Sequence, residues 1–131
     1  MNIDFKEERF MIETWLVHSV LFYAFLDVSN FASEHDIPVR VTNVLDRIPN
    51  ESKTNSHPEG RAIDLSVINW PDRFIHMASH MFNEKYKDIA AISSSDGKPR
   101  FFVYHKTKNG EWHIHLQINA KYAREIEWPE K

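Results

Sequence analysis

The 131-residue chain contains no cysteine. That excludes a disulfide scaffold, a Cys-ligated zinc finger and a thiol nucleophile. A surplus of positive charge is missing too: 16 Lys and Arg stand against 19 Asp and Glu, a formal charge of −3. Duplex nucleic acid usually meets a clearly basic face, so no nucleic-acid partner is expected. Long hydrophobic runs are also lacking. The longest apolar stretch, near Leu16 to Leu26, is broken by His18 and Ser19 and falls short of the roughly 20 clean residues of a membrane span. The opening residues, Met1 to Glu8, show no basic segment followed by an apolar one, so the expectation is a product made in the cytoplasm without a membrane partner. Any action on a cell wall then follows release by another route or delivery in a virion. No repeat, low-complexity tract or linker interrupts the sequence, and one domain spanning 1–131 is expected.

What is present points to a folded domain with a core. Hydrophobic residues make up 42% and aromatics 13%, which argues against disorder. Eight histidines are a high count for this length. They hint at metal or acid–base chemistry, but only their spacing can show it.

Apolar residues at three- and four-residue spacing (Phe10, Met11, Trp15, Leu21, Phe22, Phe25, Leu26) predict one long helix or two shorter ones between Asp4 and His35. Asp4 with Glu7 fits an N-terminal capping box, and Pro38 closes the region. Val39 to Val44 alternates and is β-branched, a strand. Asp46 to Gly60 is a long loop of Pro, Asn, Ser, Lys, Thr and His. Arg61 to Val67 alternates again, with Ile63, Leu65 and Val67 on one face and Ala62, Asp64 and Ser66 on the other. Asn69 and Pro71 predict the start of a helix that carries Phe74, Met77, Ala78, Met81 and Phe82 on one stripe and ends near Asn83. Asp88 to Ser93 is a candidate strand, followed by a turn at Ser94 to Gly97. Arg100 to His105 and Glu111 to Ile118 form two strands around Asn109-Gly110, a strong hairpin signal. The predicted class is α+β, a small and largely antiparallel sheet flanked by helices.

Two segments carry chemistry. The first is Ser56-His57-Pro58-Glu59-Gly60-Arg61-Ala62-Ile63-Asp64-Leu65 and the second is Glu111-Trp112-His113-Ile114-His115-Leu116. Asp64 projects from its strand opposite Ile63 and Leu65. Glu111, His113 and His115 share one side of theirs, leaving Trp112, Ile114 and Leu116 to fill the core. If the two strands are neighbours, His57, Asp64 and His115 can converge on one zinc ion. Three protein ligands leave a fourth position for water, the pattern of catalytic rather than structural zinc, and zinc lowers the pKa of that water towards about 7. Glu111 or His113 can then accept its proton or stabilise a developing oxyanion. Each element alone is commonplace, since a His-x-His pair or an alternating Asp usually lies on a solvated face. The conjunction is not.

Ser56-His57-x-x-Gly60-x-Ala62-x-Asp64, followed by His113-x-His115, resembles the zinc D-alanyl-D-alanine peptidases, a superfamily that includes phage L-alanyl-D-glutamate endolysins and the hedgehog amino-terminal domain. Val39 to Gln117 follows that layout. The resemblance implies a hedgehog/D,D-peptidase-like fold and cleavage of peptidoglycan stem or cross-link peptides. It implies His57, Asp64 and His115 as zinc ligands and His113 as the second histidine acting on the transition state. Ser56 becomes a supporting residue behind the ligands, and Arg47 resembles the family arginine that contacts substrate or oxyanion. One departure stands out. Many members place a catalytic Glu three residues before the last zinc His, a position held here by Trp112. Glu111 is four before, which on a regular strand keeps it on the metal face. Glu111 is therefore the preferred base, with His113 taking more of that role otherwise. Hedgehog-type relatives use the same site for binding, so a zinc-stabilised binding module is the alternative. Of the remaining histidines, His18 and His35 read as surface or helix-end groups, and His76 and His80 as a solvated helix face. His105 sits across the hairpin, where it can line the cleft or act as a fourth ligand of a closed site.

Overall fold

The computed structural model describes residues 3–45, 57, 59–93, 96–107 and 109–122. Two β-branched and aromatic-rich segments begin and end the main sheet. In chain order the elements are β1 (Ile3–Phe5), α1 (Glu8–Thr14), α2 (Ser19–Glu34), β2 (Val39–Asn43), β3 (Ala62–Ser66), α3 (Asp72–Lys85), β4 (Ala91–Ile92), β5 (Pro99–Arg100), β6 (Phe102–Lys106) and β7 (Trp112–Gln117), with a short 3-10 turn at Ala120–Tyr122. Five strands form one sheet in the order β1-β2-β3-β7-β6, and β4 and β5 form a separate ribbon. The class is α+β, as expected, but the sheet is mixed: β1 runs parallel to β2, and the other pairs are antiparallel. Among the described residues, no helix is long and apolar enough to cross a membrane.

The expected helix from Asp4 is corrected at its start. Ile3 to Phe5 pair with Val39 to Val41 instead, and Asp4 meets Arg40 at 3.1 Å. Glu7 precedes α1 without a side-chain cap, and its carboxylate goes to Arg9. A capping box requires a helix beginning at residue 5, and the strand pairing uses that backbone first. The region then splits into two helices. His18 opens α2 by accepting a hydrogen bond from Val20 N on its Nδ1. The helix ends in a Schellman turn: Ile37 N bonds Ala32 O, Asp36 N bonds Ser33 O, and Asp36 takes φ +57, a value Asp tolerates better than most residues. Pro38 follows at once.

Other boundaries shift for local reasons. Asn69 does not cap α3. It takes φ +64 in the turn before it, and Pro71 is the residue that precedes the first helical turn. The buried stripe of α3 is Phe74, Ile75, Ala78 and Phe82, while Met77 and Met81 face solvent. The candidate strand at 88–93 reduces to β4, and the expected strand from Arg100 divides at Phe101 into β5 and β6. Part of the turn proposed at 94–97, residues 94 and 95, lies outside the described residues, as does most of the long loop.

The core forms where α2 and α3 cover one face of the sheet. Leu21, Phe25 and Val28 meet Val39, Val41, Ile63, Leu65, Ile114 and Leu116 in one buried cluster. Phe82 stacks on Phe102 across the α3–β6 contact, with ring centres 6.4 Å apart. Asn83 then fastens the edge of the sheet. Its Oδ1 accepts from Phe101 N and Phe102 N, both at 2.8 Å, and its Nδ2 donates to Phe102 O at 2.9 Å. Asn83→Ala leaves those two backbone donors without this partner, at about 1–3 kcal/mol each. The expected loss is about 2–6 kcal/mol, read as a lower urea midpoint with unchanged slope.

Candidate metal centre

Local chemistry explains how each side chain reaches the site. β3 and β7 are adjacent, in the middle of the sheet, and their register sets Asp64 opposite His115 and Ser66 opposite His113. Residues paired in this way share a face, so the same alternation that sends Ile63, Leu65, Ile114 and Leu116 into the core holds Asp64, His113 and His115 together on the other side. The two strands on which the sequence places the motif are neighbours.

His57 arrives from the turn before β3. Gly60 takes φ +70 there, a conformation that glycine adopts without the Cβ clash other residues meet. Gly60 N bonds His57 O at 3.0 Å, and Gly60 O accepts from His18 N at 3.1 Å. The ring of His57 is buried. Its Nδ1 lies 2.7 Å from Val44 O. A carbonyl only accepts, so Nδ1 carries the proton and donates, which turns Nε2 towards Asp64 Oδ2 at 3.2 Å. The other carboxylate oxygen, Oδ1, lies 2.7 Å from His115 Nδ1 and 3.7 Å from His113 Nε2.

His57, Asp64 and His115 thus bring three donor atoms within 4.8 Å of one another. The donor set fits a borderline-soft dication, since two imidazoles and a carboxylate are zinc ligands. His57 also meets a further requirement of such sites, an outer hydrogen bond from the non-ligating nitrogen that fixes tautomer and ring plane. With Nδ1 protonated, the Nε2 lone pair and Asp64 Oδ2 face each other, an arrangement that only a proton or a cation between them relieves. Burial pushes the Asp64 carboxyl up, but His57 and His115, when protonated, outweigh it by charge and hydrogen bonding and hold the group well below the usual carboxylate range. The ligand is thus ionised at neutral pH.

The hairpin adds a residue whose weight the sequence left open. His105 lies directly across from His113, with ring centres 4.3 Å apart. His105, His113 and His115 form a second group of three donors within the same limit. The signal was in the sequence: residues 105 and 113 are equidistant from Asn109, at the middle of the hairpin loop. Desolvation by neighbouring groups, then repulsion from His113 and His115, pulls the His105 pKa down to about 4. Burial likewise lowers that of His113.

Glu111 is placed differently. It is exposed and closes the hairpin, where Thr107 N bonds its carbonyl and its own N bonds Thr107 Oγ1. Its carboxylate belongs to neither donor group. Arg47 and Ser56 lie outside the described residues. His18 and His35 cap the two ends of α2, and His76 and His80 are exposed on α3, all in keeping with the expectations for them. No family model, curated protein or solved structure matches the chain.

The histidine shifts set a pH dependence. The unfolded chain protonates His105 near 6.5, whereas the folded chain resists until about 4. Unfolded protein therefore binds more protons in that window, so its contribution to stability is whole above about 6.5 and is lost as pH falls towards 4. In chelator-treated protein the urea midpoint is expected to drop across this range, and His105→Ala is expected to flatten part of the drop.

Proposed function

We propose that the chain is a zinc-dependent peptidase that hydrolyses bonds in peptidoglycan stem or cross-link peptides, of the D,D-carboxypeptidase or endolysin type. The observation that carries this reading is the convergence of His57 Nε2, Asp64 and His115 Nδ1, with His57 tied to Val44 O. The motif resemblance supplies the substrate class. When bound, zinc supplies Lewis-acid activation of water and of the scissile carbonyl. The chain does the rest. His57, from the turn before β3, and Asp64 and His115, on β3 and β7, would hold the ion. His113, with Nε2 3.7 Å from Asp64 Oδ1, hydrogen-bonds the substrate oxygen as negative charge develops on it. Glu111, four residues before His115, takes up the proton released from water and passes it to the leaving amine.

The exposed setting of Glu111, outside the donor cluster, favours a second reading: a zinc-stabilised binding module of the same fold, without hydrolysis. One experiment separates the two. Purified protein is incubated with muropeptides, with chelator and with zinc restored. The peptidase reading expects cleavage that chelator abolishes and zinc returns, and a fall in kcat of about 10²–10³ in His113→Ala, the range seen when one oxyanion donor is removed. Bound zinc with no cleavage in the unaltered protein overturns it in favour of the module.

A further inference from the structure

The second donor group is more than the flank of the first. His105 comes from β6 and His113 and His115 from β7, so the group bridges the hairpin at the edge of the sheet. It contains no carboxylate, and His105 is exposed while the other two are half-buried, so an ion can enter from solvent. A tetrahedral ion with Zn–N bonds of about 2.0–2.1 Å needs nitrogens roughly 3.3 Å apart. The three donor atoms lie within 4.8 Å of one another, so the site closes to that size by rotation of all three rings. The first group uses His115 Nδ1, which faces Asp64, and the second uses Nε2, so filling both sites makes the His115 ring a bridging imidazolate and releases its remaining proton to solvent.

We infer that His105, His113 and His115 form a second divalent-metal site, selective for ions that prefer imidazole, such as zinc or copper(II), whose filling withdraws His113 from substrate. Imidazole-only donors suit these ions and disfavour magnesium and calcium. Without a carboxylate, and with an exposed ligand, the second ion binds more weakly than the first. Zinc in moderate excess then inhibits the enzyme, a self-limiting response to metal concentration built from a ligand the two sites share. This rests on the peptidase reading for its consequence, but not for its existence.

The test starts from protein carrying one equivalent of zinc and titrates further zinc by calorimetry, with zinc alone as the ligand. Unaltered protein is expected to take up a second, weaker equivalent. His105→Ala and His105→Gln are expected to keep the first and to bind the second more than about tenfold more weakly, since even losing a supporting partner of a ligand costs about 10–100-fold. Asp64→Ala is expected to lose the first and keep the second. In muropeptide assays, excess zinc should inhibit the unaltered protein and spare both His105 variants. Uptake of one equivalent only, a second equivalent that persists in both variants, or loss of the first equivalent with His105 overturns the proposal; the last makes His105 a fourth ligand of one closed site. Absence of peptide cleavage with both equivalents intact overturns the peptidase reading alone.

Discussion

The register between β3 and β7 is the constraint on which everything else depends. Side chains along a strand alternate with period two, so a slip of one residue exchanges the faces of the whole segment. In the observed register Ile63 meets Leu116 and Leu65 meets Ile114 in the core, while Asp64 meets His115 on the opposite side. A slip sends a carboxylate and two imidazoles into an apolar interior and brings four buried aliphatic side chains into water. Burying an ion without a partner costs several kcal/mol, and exposing each large aliphatic side chain costs about 1.5–3 kcal/mol more. The hydrophobic effect, which knows nothing of metals, thus fixes the alignment of the ligands.

Within that frame the polar cluster is a compromise between stability and use. Asp64 gathers three imidazoles around one carboxylate, and four histidines crowd one patch of sheet. Desolvation, and then the neighbouring imidazoles, lower the pKa of His105 and His113. His105 and His113 thus keep lone pairs that a cation can share. Perturbed titration of this kind clusters where proteins do chemistry, and here the perturbers can be named residue by residue.

The readable part of the sequence was the part governed by short-range alternation. Asp64 against Ile63 and Leu65, and His113 and His115 against Ile114 and Leu116, required only a period of two, and the Asn109-Gly110 signal paired β6 with β7. Features set by distant partners were hidden. Ile3 to Phe5 is too short to announce a strand, and only its parallel pairing with β2 makes it one. The apolar spacing of Met11 and Trp15 looked like a buried stripe, yet both are exposed, because α1 is short and offers the core chiefly Phe10. The weight of His105 rests on the hairpin register, which pairs it with His113. Glu111 shows the opposite limit. Alternation put it on the metal face, but regular pairing begins one residue later, at Trp112, and the rule stops where the strand does.

The bond from His18 N to Gly60 O joins the capping residue of a core helix to the turn that carries His57. Helix α2 is packed against the sheet by Leu21, Ala24, Phe25 and Val28, all almost fully buried. Protein interiors are as dense as molecular crystals and yield little to compression. The position of the His57 ring therefore inherits its tolerance from that packing. A methyl group gained or lost beneath α2, far from any polar atom of the cluster, is felt as a displacement of a ligand. For this molecule the dimensional accuracy of the candidate metal centre is a property of the hydrocarbon behind it.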